Sequence, residues 1–87
     1  MSDKIIVVDG IKVSDDNSKW GTTKFLRLMR DLQGGSVLAV FDIFEYLFGP
    51  GKFEEVEAHF ADPETGETKI QDVINWFNEV GEKVAKN

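Results

Sequence analysis

The sequence contains no cysteine, only two prolines and a single histidine among its 87 residues. Without cysteine the chain has no disulfide framework, no thiolate zinc site and no cysteine nucleophile. No apolar run reaches the roughly 18 residues that cross a bilayer, and the N-terminus lacks the basic and apolar regions of a secretory signal. These absences predict one soluble intracellular domain that spans residues 1–87.

Positive charge is also scarce. Ten lysines and arginines stand against sixteen aspartates and glutamates, which gives a net charge of −6. Nucleic-acid phosphates and anionic membrane surfaces are bound by basic patches, so this balance argues against both. We therefore expect no nucleic acid and no membrane among the partners of this chain.

The chain is organised around residues 36–60, whose first half is almost entirely apolar. Apart from a serine at its start, only Asp42 and Glu45 are clearly polar before residue 49. A helix so apolar on all sides is predicted to be buried on most of them, with these two carboxylates forming one narrow exposed stripe. Gly49-Pro50-Gly51 is predicted to end it, because proline cannot extend a helix and glycine accepts a left-handed cap.

A β-hairpin is predicted at residues 4–13. Two β-branched runs flank Asp9-Gly10, a pair that suits a type I′ turn because both central residues need a positive φ. An isolated two-stranded hairpin is marginally stable, so it must cover apolar surface or pair with another strand. The apolar alternation predicts one face with four residues and a second face with two: Ile5, Val7, Ile11 and Val13, against Ile6 and Val8.

Four helices are predicted after the hairpin, at about residues 20–32, 36–48, 52–60 and 68–84. Each of the outer three carries an apolar stripe: Phe25, Leu26, Met29 and Leu32; Phe53, Val56 and Phe60; and Ile70, Val73, Ile74, Phe77, Val80 and Val84. The predicted fold is α+β and mostly helical, an N-terminal β-hairpin followed by about four short helices packed round a central apolar helix.

Local signals predict the ends of these helices. Gly34-Gly35 stops the first helix, and Ser36 is expected to cap the second. Thr68 with Gln71 three residues later forms a capping box at the start of the last. Gly81 and the polar residues after it predict a frayed C-terminal tail.

The two tryptophans are the clearest candidates for contact with a partner, since tryptophan is enriched at interfaces. Trp20 stands at the entrance of the first helix. Trp76 lies about 100° from Phe77 on the last helix, which predicts a position at the edge of the apolar stripe. A partner could cover it there.

No catalytic or metal-binding constellation is found. His59 has no second histidine or cysteine to complete a metal site, and no serine stands in a GxSxG elbow. Asp42 and Glu45 could pair on one helical face, but nothing marks them as acid and base. The acidic loop at residues 62–67 fails the calcium-loop spacing, because Gly66 at position six puts Ala61 and Pro63 at ligand positions. We expect no enzyme, metal or cofactor.

One alternative concerns Ser36. Residues 32–40, LQGGSVLAV, resemble the LGGxSLLAV motif of peptidyl carrier proteins, in which the serine carries phosphopantetheine. One residue is missing between the glycine pair and the serine, and the hairpin replaces the long first helix of carrier domains. A glycine turn with a serine cap is the simpler interpretation. An acyl or peptidyl carrier-like domain modified at Ser36 stays open as an alternative.

From Trp20 onward, the order of features resembles the tail assembly chaperones of long-tailed bacteriophages and prophages. The matching pieces are FLRLMRDLQGGSVLAVFDIFEYLFG, GKFEEVEAHFADPETGE and TKIQDVINWFNEVGEKV. Within them the pattern is followed most closely by Leu47-Phe48-Gly49, by residues 53–60 and by the acidic loop that ends at Gly66. The resemblance covers most of the chain and lies in the arrangement of elements.

The resemblance implies a non-enzymatic chaperone that binds the tape measure protein during tail assembly. Other tail proteins and self-association are further contacts that it allows. Such proteins act in the bacterial host cytoplasm, are absent from the mature virion, and often have a longer form made by ribosomal frameshifting. We expect Trp20, Trp76, Ile6 and Val8 to contribute to partner binding. A small adaptor or structural subunit is the other alternative.

Overall fold

The computed structural model describes residues 4–85, which form a β-hairpin followed by helices. The elements in chain order are β1 (Ile5–Val8), β2 (Ile11–Ser14), a short 3-10 helix (Ser18–Gly21), α1 (Thr23–Gln33), α2 (Ala39–Phe48), α3 (Lys52–His59) and α4 (Ile70–Ala85). This confirms the predicted mostly helical α+β fold and all four helices. The first, second and fourth helices start two or three residues later than the predicted 20, 36 and 68.

The hairpin has the predicted turn but a different distribution of faces. Asp9 and Gly10 have φ values of 53° and 84°, as a type I′ turn requires. Val8 pairs with Ile11. Residues opposite each other in an antiparallel pair point to the same side, so the core face consists of one set of four: Ile6, Val8, Ile11 and Val13. The prediction that Ile5 and Val7 share a face with Ile11 and Val13 is therefore wrong.

The glycine pair after α1 ends that helix as predicted. Gly35 has a φ of 105°, and its N–H donates to the Leu32 carbonyl at 3.2 Å. The N–H of Ser36 donates to the Asp31 carbonyl at 2.9 Å. These two bonds define a Schellman motif, which needs a left-handed residue at this position.

The buried side of α1 differs from the predicted stripe by one residue. Leu26 is exposed, whereas Leu28 is half-buried against the core. The side that faces the core has the i, i+3, i+4, i+7 spacing of an amphipathic helix: Phe25, Leu28, Met29 and Leu32. At the start of the helix, Thr22 Oγ1 accepts a hydrogen bond from the Phe25 N–H at 3.2 Å.

The central helix α2 begins at Ala39, and Ser36 does not cap it. No side chain makes a cap hydrogen bond at this end. Instead the Ser36 carbonyl accepts from the Ala39 N–H at 3.0 Å, which is a tight turn of the 3-10 type. The predicted end is confirmed, because Gly49 and Gly51 have φ values of 81° and 96° and separate α2 from α3.

Most of α2 is buried or half-buried, in contact with the 3-10 helix, α1, α3 and α4. Ala39, Val40, Ile43 and Phe44 lie in the core. The prediction that this helix is covered on most sides is confirmed, but its exposed stripe is wider than predicted because it contains Phe41 as well as Asp42 and Glu45. The sequence supplies more apolar residues along residues 36–48 than the three other helices and the hairpin cover.

Helix α4 closes the core between the hairpin and α2. Trp76 is 1% exposed, and its Nε1–H donates to the Val8 carbonyl at 2.9 Å. Its ring stacks on Phe44 with the centroids 5.8 Å apart. The prediction that this tryptophan lies at a partly covered edge of the helix is wrong. Contacts on two sides, with the hairpin and with α2, bury a wider stripe of α4 than one neighbour would.

Neither end of α4 follows the local prediction. The Thr68 hydroxyl donates to the Glu57 carbonyl at 2.6 Å, and the Gln71 amide donates to Asn75 at 2.9 Å, so the two do not form a capping box. At the other end the helix continues past Gly81 to Ala85, and Val84 is buried. The predicted fraying is wrong over this range, and residues 86–87 lie outside the described part of the chain.

Gly81 lies beneath the indole of Trp20, which stacks on Phe77 with the centroids 5.4 Å apart. A Cβ at position 81 would lie 3.2 Å from Trp20 Cζ3. A glycine-to-alanine change at an exposed helix position raises the free energy of unfolding by about 1 kcal/mol. We expect Gly81→Ala to give no such gain, because the Trp20 ring must shift to make room for the methyl group. Urea unfolding checks it, with the same change in a Trp20→Leu background as the control. An equal gain in both backgrounds would contradict the predicted clash.

Candidate functional site

Seven large apolar side chains are exposed within the part of the chain that the structure describes, and three of them lie together at the start of α2. The seven are Ile5, Val7, Leu26, Val37, Leu38, Phe41 and Ile70. We define the α2 apolar surface as Val37 and Leu38, in the turn just before α2, and Phe41, which follows them by four and three residues in the first turn of the helix. Leu38 is 73% exposed and Phe41 48%.

The α2 apolar surface is bordered by carboxylates along the same side of the helix. Asp42 follows Leu38 by one turn, and Glu45 follows Phe41 by one turn, and both are exposed. The predicted exposed carboxylate stripe is therefore confirmed, but apolar side chains extend it toward the N-terminus. The ring of Phe41 packs against the ring of Phe53, with the two centroids 4.6 Å apart. An exposed apolar area with an acidic border results.

A second surface feature is a cleft of about 440 Å3 beside Trp20. It lies between β2, the 3-10 helix, the C-terminal end of α2 and the first residue of α3. We call the five apolar side chains that line it its floor: Ile5, Val13, Trp20, Leu47 and Phe48. We call it the Trp20 cleft. We call the polar residues that line it its rim: Lys12, Lys19, Lys52, Ser14 and Asp16.

Hydrogen bonds hold two of the three lysines in place. Lys52 Nζ donates to the Lys12 carbonyl at 2.8 Å and pairs with Glu55 at 2.8 Å. Lys19 Nζ donates to the Tyr46 carbonyl at 3.1 Å. The ammonium of Lys12 makes no hydrogen bond or ion pair with any residue in the range 4–85. Lys12 is therefore the rim lysine whose ammonium has no partner among these residues.

Asp16 is the carboxylate of the rim, and it is engaged by its own turn. Its Oδ1 accepts the N–H of Ser18 at 3.0 Å. Hydrogen bonds from Ser18, with a smaller contribution from the charge of Lys19, lower the pKa of Asp16 below its ordinary value of 3.8. The group is therefore ionised at neutral pH, and it offsets one of the lysine charges.

The four residues expected to bind a partner occupy different environments. Trp20 is half-buried and lines the Trp20 cleft. Val8 and Trp76 are buried and hydrogen-bonded to each other, so neither side chain is accessible in this fold. Ile6 is half-buried on the core side of the hairpin. The exposed side of β1 presents Ile5 and Val7 instead, at 61% and 54% exposure.

Sequence reasoning missed both surface features. The α2 apolar surface had a signal, because residues 36–48 hold apolar residues at nearly every angle of the helix while the predicted neighbours are short. The Trp20 cleft had none, because its lysines at positions 12, 19 and 52 stand on separate elements. Their convergence depends on how β2 and α3 meet.

The remaining candidates for chemistry are dispersed. Within residues 4–85, no three histidine, cysteine, aspartate or glutamate side chains are close enough to hold a metal ion. None of the helices in this range has both the length and the apolarity to cross a bilayer. His59 is partly exposed, with its Nε2 3.9 Å from Asp9 Oδ2. Ser36 is exposed in the turn before α2.

Comparisons with family models, with curated proteins and with solved structures found no match to this chain. The tail assembly chaperone family therefore stays a prediction from the order of its sequence features. The fold provides two candidate binding surfaces, the α2 apolar surface and the Trp20 cleft.

Proposed function

We propose that this chain is a non-enzymatic tail assembly chaperone that binds the tape measure protein through the α2 apolar surface. The observation that carries the proposal is the exposure of Leu38, just before α2, and of Phe41 on a helix whose other apolar residues pack in or against the core. The resemblance supplies the identity of the partner. It also implies that the protein acts in the bacterial host cytoplasm and is absent from the mature virion.

The physical basis is that the chaperone covers apolar surface on its partner. A tape measure protein has long apolar helices, which aggregate when nothing covers them. Full burial of a leucine or phenylalanine contributes at most about 1.5–3 kcal/mol, and association costs offset part of this. A surface of three such side chains therefore supports reversible binding, which suits a chaperone that must leave. The adjacent Asp42 and Glu45 keep the complex charged and soluble.

Co-expression with the tape measure protein of the same phage tests this proposal. We expect the chaperone to raise the soluble yield of that protein and to co-purify with it. Leu38→Glu is expected to reduce co-purification about tenfold or more, because it places a charge inside an apolar contact. Leu26→Glu is the matched control, an exposed leucine on α1, and should change little.

Three results would contradict the proposal: no gain in solubility with the unaltered chain, no co-purification, or equal loss with both glutamate variants. Co-purification without a gain in solubility would instead support the small adaptor or structural subunit. Circular dichroism of each variant establishes that its helices are intact.

The carrier alternative is favoured by one observation, that Ser36 is exposed next to the start of an apolar helix. It has a separate readout. Incubation with coenzyme A and a phosphopantetheinyl transferase, followed by mass spectrometry, would show a mass gain on Ser36 if the chain is a carrier. We expect no gain. Ser36→Ala is the control for modification elsewhere.

A further inference from the structure

We propose that the Trp20 cleft binds the C-terminal residue of a polypeptide whose last side chain is aromatic or branched and apolar. The inference concerns a second surface and does not depend on the chaperone function. It rests on the size of the cleft, its apolar floor, the charge of its rim and the backbone edge that borders it.

The size and floor of the cleft suit one apolar side chain. Its volume of about 440 Å3 falls within the range of about 300–1,000 Å3 that is common for small ligand sites. The indole of Trp20 and the ring of Phe48 are part of the floor, with their centroids 6.3 Å apart in an edge-to-face arrangement. An aromatic or branched group can pack against both rings.

The rim has the charge that a carboxylate requires. Three of the chain's ten basic residues line this one cleft, in a molecule whose net charge is −6. Asp16 and the Glu55 partner of Lys52 offset two of these charges, which leaves the excess positive. Lys12 supplies the ammonium that has no partner among the described residues. A carboxylate is favoured there, and a cation is disfavoured.

The border of the cleft includes the outer edge of β2. Lys12 and Ser14 face β1 at positions that do not exchange ladder hydrogen bonds, because the flanking pairs do so. Their backbone groups therefore point away from β1. The bond from Lys52 Nζ to the Lys12 carbonyl confirms this direction. An extended peptide end can align with such an edge, which favours a polypeptide over an isolated small acid.

The test uses the full chain and a short peptide that ends in Val-Phe with a free carboxylate. Two ligand controls are the same peptide with an amidated C-terminus and N-acetylphenylalanine. We expect the carboxylate peptide to bind at least about tenfold more tightly than either control, because one lacks the charge and the other the backbone. Equal affinity for the amide, or for N-acetylphenylalanine, would overturn the proposal.

Two protein variants test whether the ammonium of Lys12 binds the peptide carboxylate. Lys12→Glu is expected to weaken peptide binding about tenfold or more, while Lys69→Glu, an exposed lysine outside the cleft, leaves it unchanged. Equal weakening by both changes would show only the effect of net charge and would overturn the assignment. Leu38→Glu, which alters the α2 apolar surface, should leave this binding intact, so failure of the chaperone proposal is separable from failure here.

Amide NMR spectra locate the bound peptide. The chain has two indole N–H signals, and only that of Trp20 belongs to the cleft. We expect the Trp20 indole and the backbone amides of Lys12 and Ser14 to shift on titration. The Trp76 indole should stay in place, since its N–H is bonded to the Val8 carbonyl in the core. Binding without a shift at Trp20 would overturn the proposal.

Discussion

Replacing Trp76 by alanine is expected to cost about 3–5 kcal/mol of the free energy of unfolding. A domain of this size has roughly 5–10 kcal/mol in total, so the variant should be close to unfolding. The cost has two sources. The indole is 1% exposed and packs on Phe44 and Phe48, and its N–H donates to the Val8 carbonyl. The change removes a core side chain, and it also uncovers the face of the hairpin on which the indole packs.

Urea unfolding followed by far-UV circular dichroism measures this loss. Trp76→Phe is the matched control, because it keeps a ring in the core but removes the hydrogen bond. Its expected cost is smaller, on the order of 1–2 kcal/mol. A loss below about 1 kcal/mol for Trp76→Ala would place this side chain at an edge of the helix, as the sequence pattern had suggested.

Phe44→Ala is expected to cost about 3–5 kcal/mol, whereas Phe41→Ala should cost no more than about 1.5 kcal/mol. The two phenylalanines are three residues apart on α2. Phe44 is 1% exposed and its ring contacts those of Phe53, Trp76 and Phe77 as well as Phe48. Phe41 keeps a single ring contact and is half exposed.

The same unfolding assay compares the two variants directly. Because both changes remove an identical side chain from one helix, differences in helix propensity cancel. Equal losses would mean that α2 is covered on both sides, and the α2 apolar surface would not exist. A large loss for Phe44→Ala alone supports a helix with one buried and one open side.

Features governed by adjacent residues could be predicted from the sequence. Asp9, Gly10 and Gly35 supply the positive φ that the turn and the Schellman motif need, whatever packs around them. Gly49-Pro50-Gly51 similarly ends α2. The apolar stripe of α3 was recovered for the same reason, and so was that of α4 apart from Ile70, which is exposed, since 3.6-residue periodicity is a local property.

Features set by packing between distant segments could not be predicted from the sequence. In the hairpin, the face of Ile5 depends on its opposite residue, Ser14, and therefore on the turn length rather than on alternation within β1. On α2, the exposure of Phe41 depends on the reach of neighbouring helices. Trp76 was placed at an edge because a helical wheel shows one buried direction, while two neighbours contact α4.

The candidate binding surfaces were accessible to sequence reasoning only in part. Trp20 was selected for its residue type, and it does line a cleft. The lysines of that cleft come from β2, the 3-10 helix and α3, and no linear pattern joins them. Leu38 and Phe41 were assigned to the core because apolar residues usually lie there.

The hydrogen bond between Trp76 and Val8 joins residues 68 positions apart, in the last helix and the first strand. During synthesis on a ribosome, the hairpin and the first three helices emerge before the indole that seals them. Until α4 has left the exit tunnel, Phe44 and the core face of the hairpin lack the cover that Trp76 and Phe77 provide. Cotranslational folding of this domain must therefore finish late, and the nascent chain is most prone to aggregation just before its last helix appears.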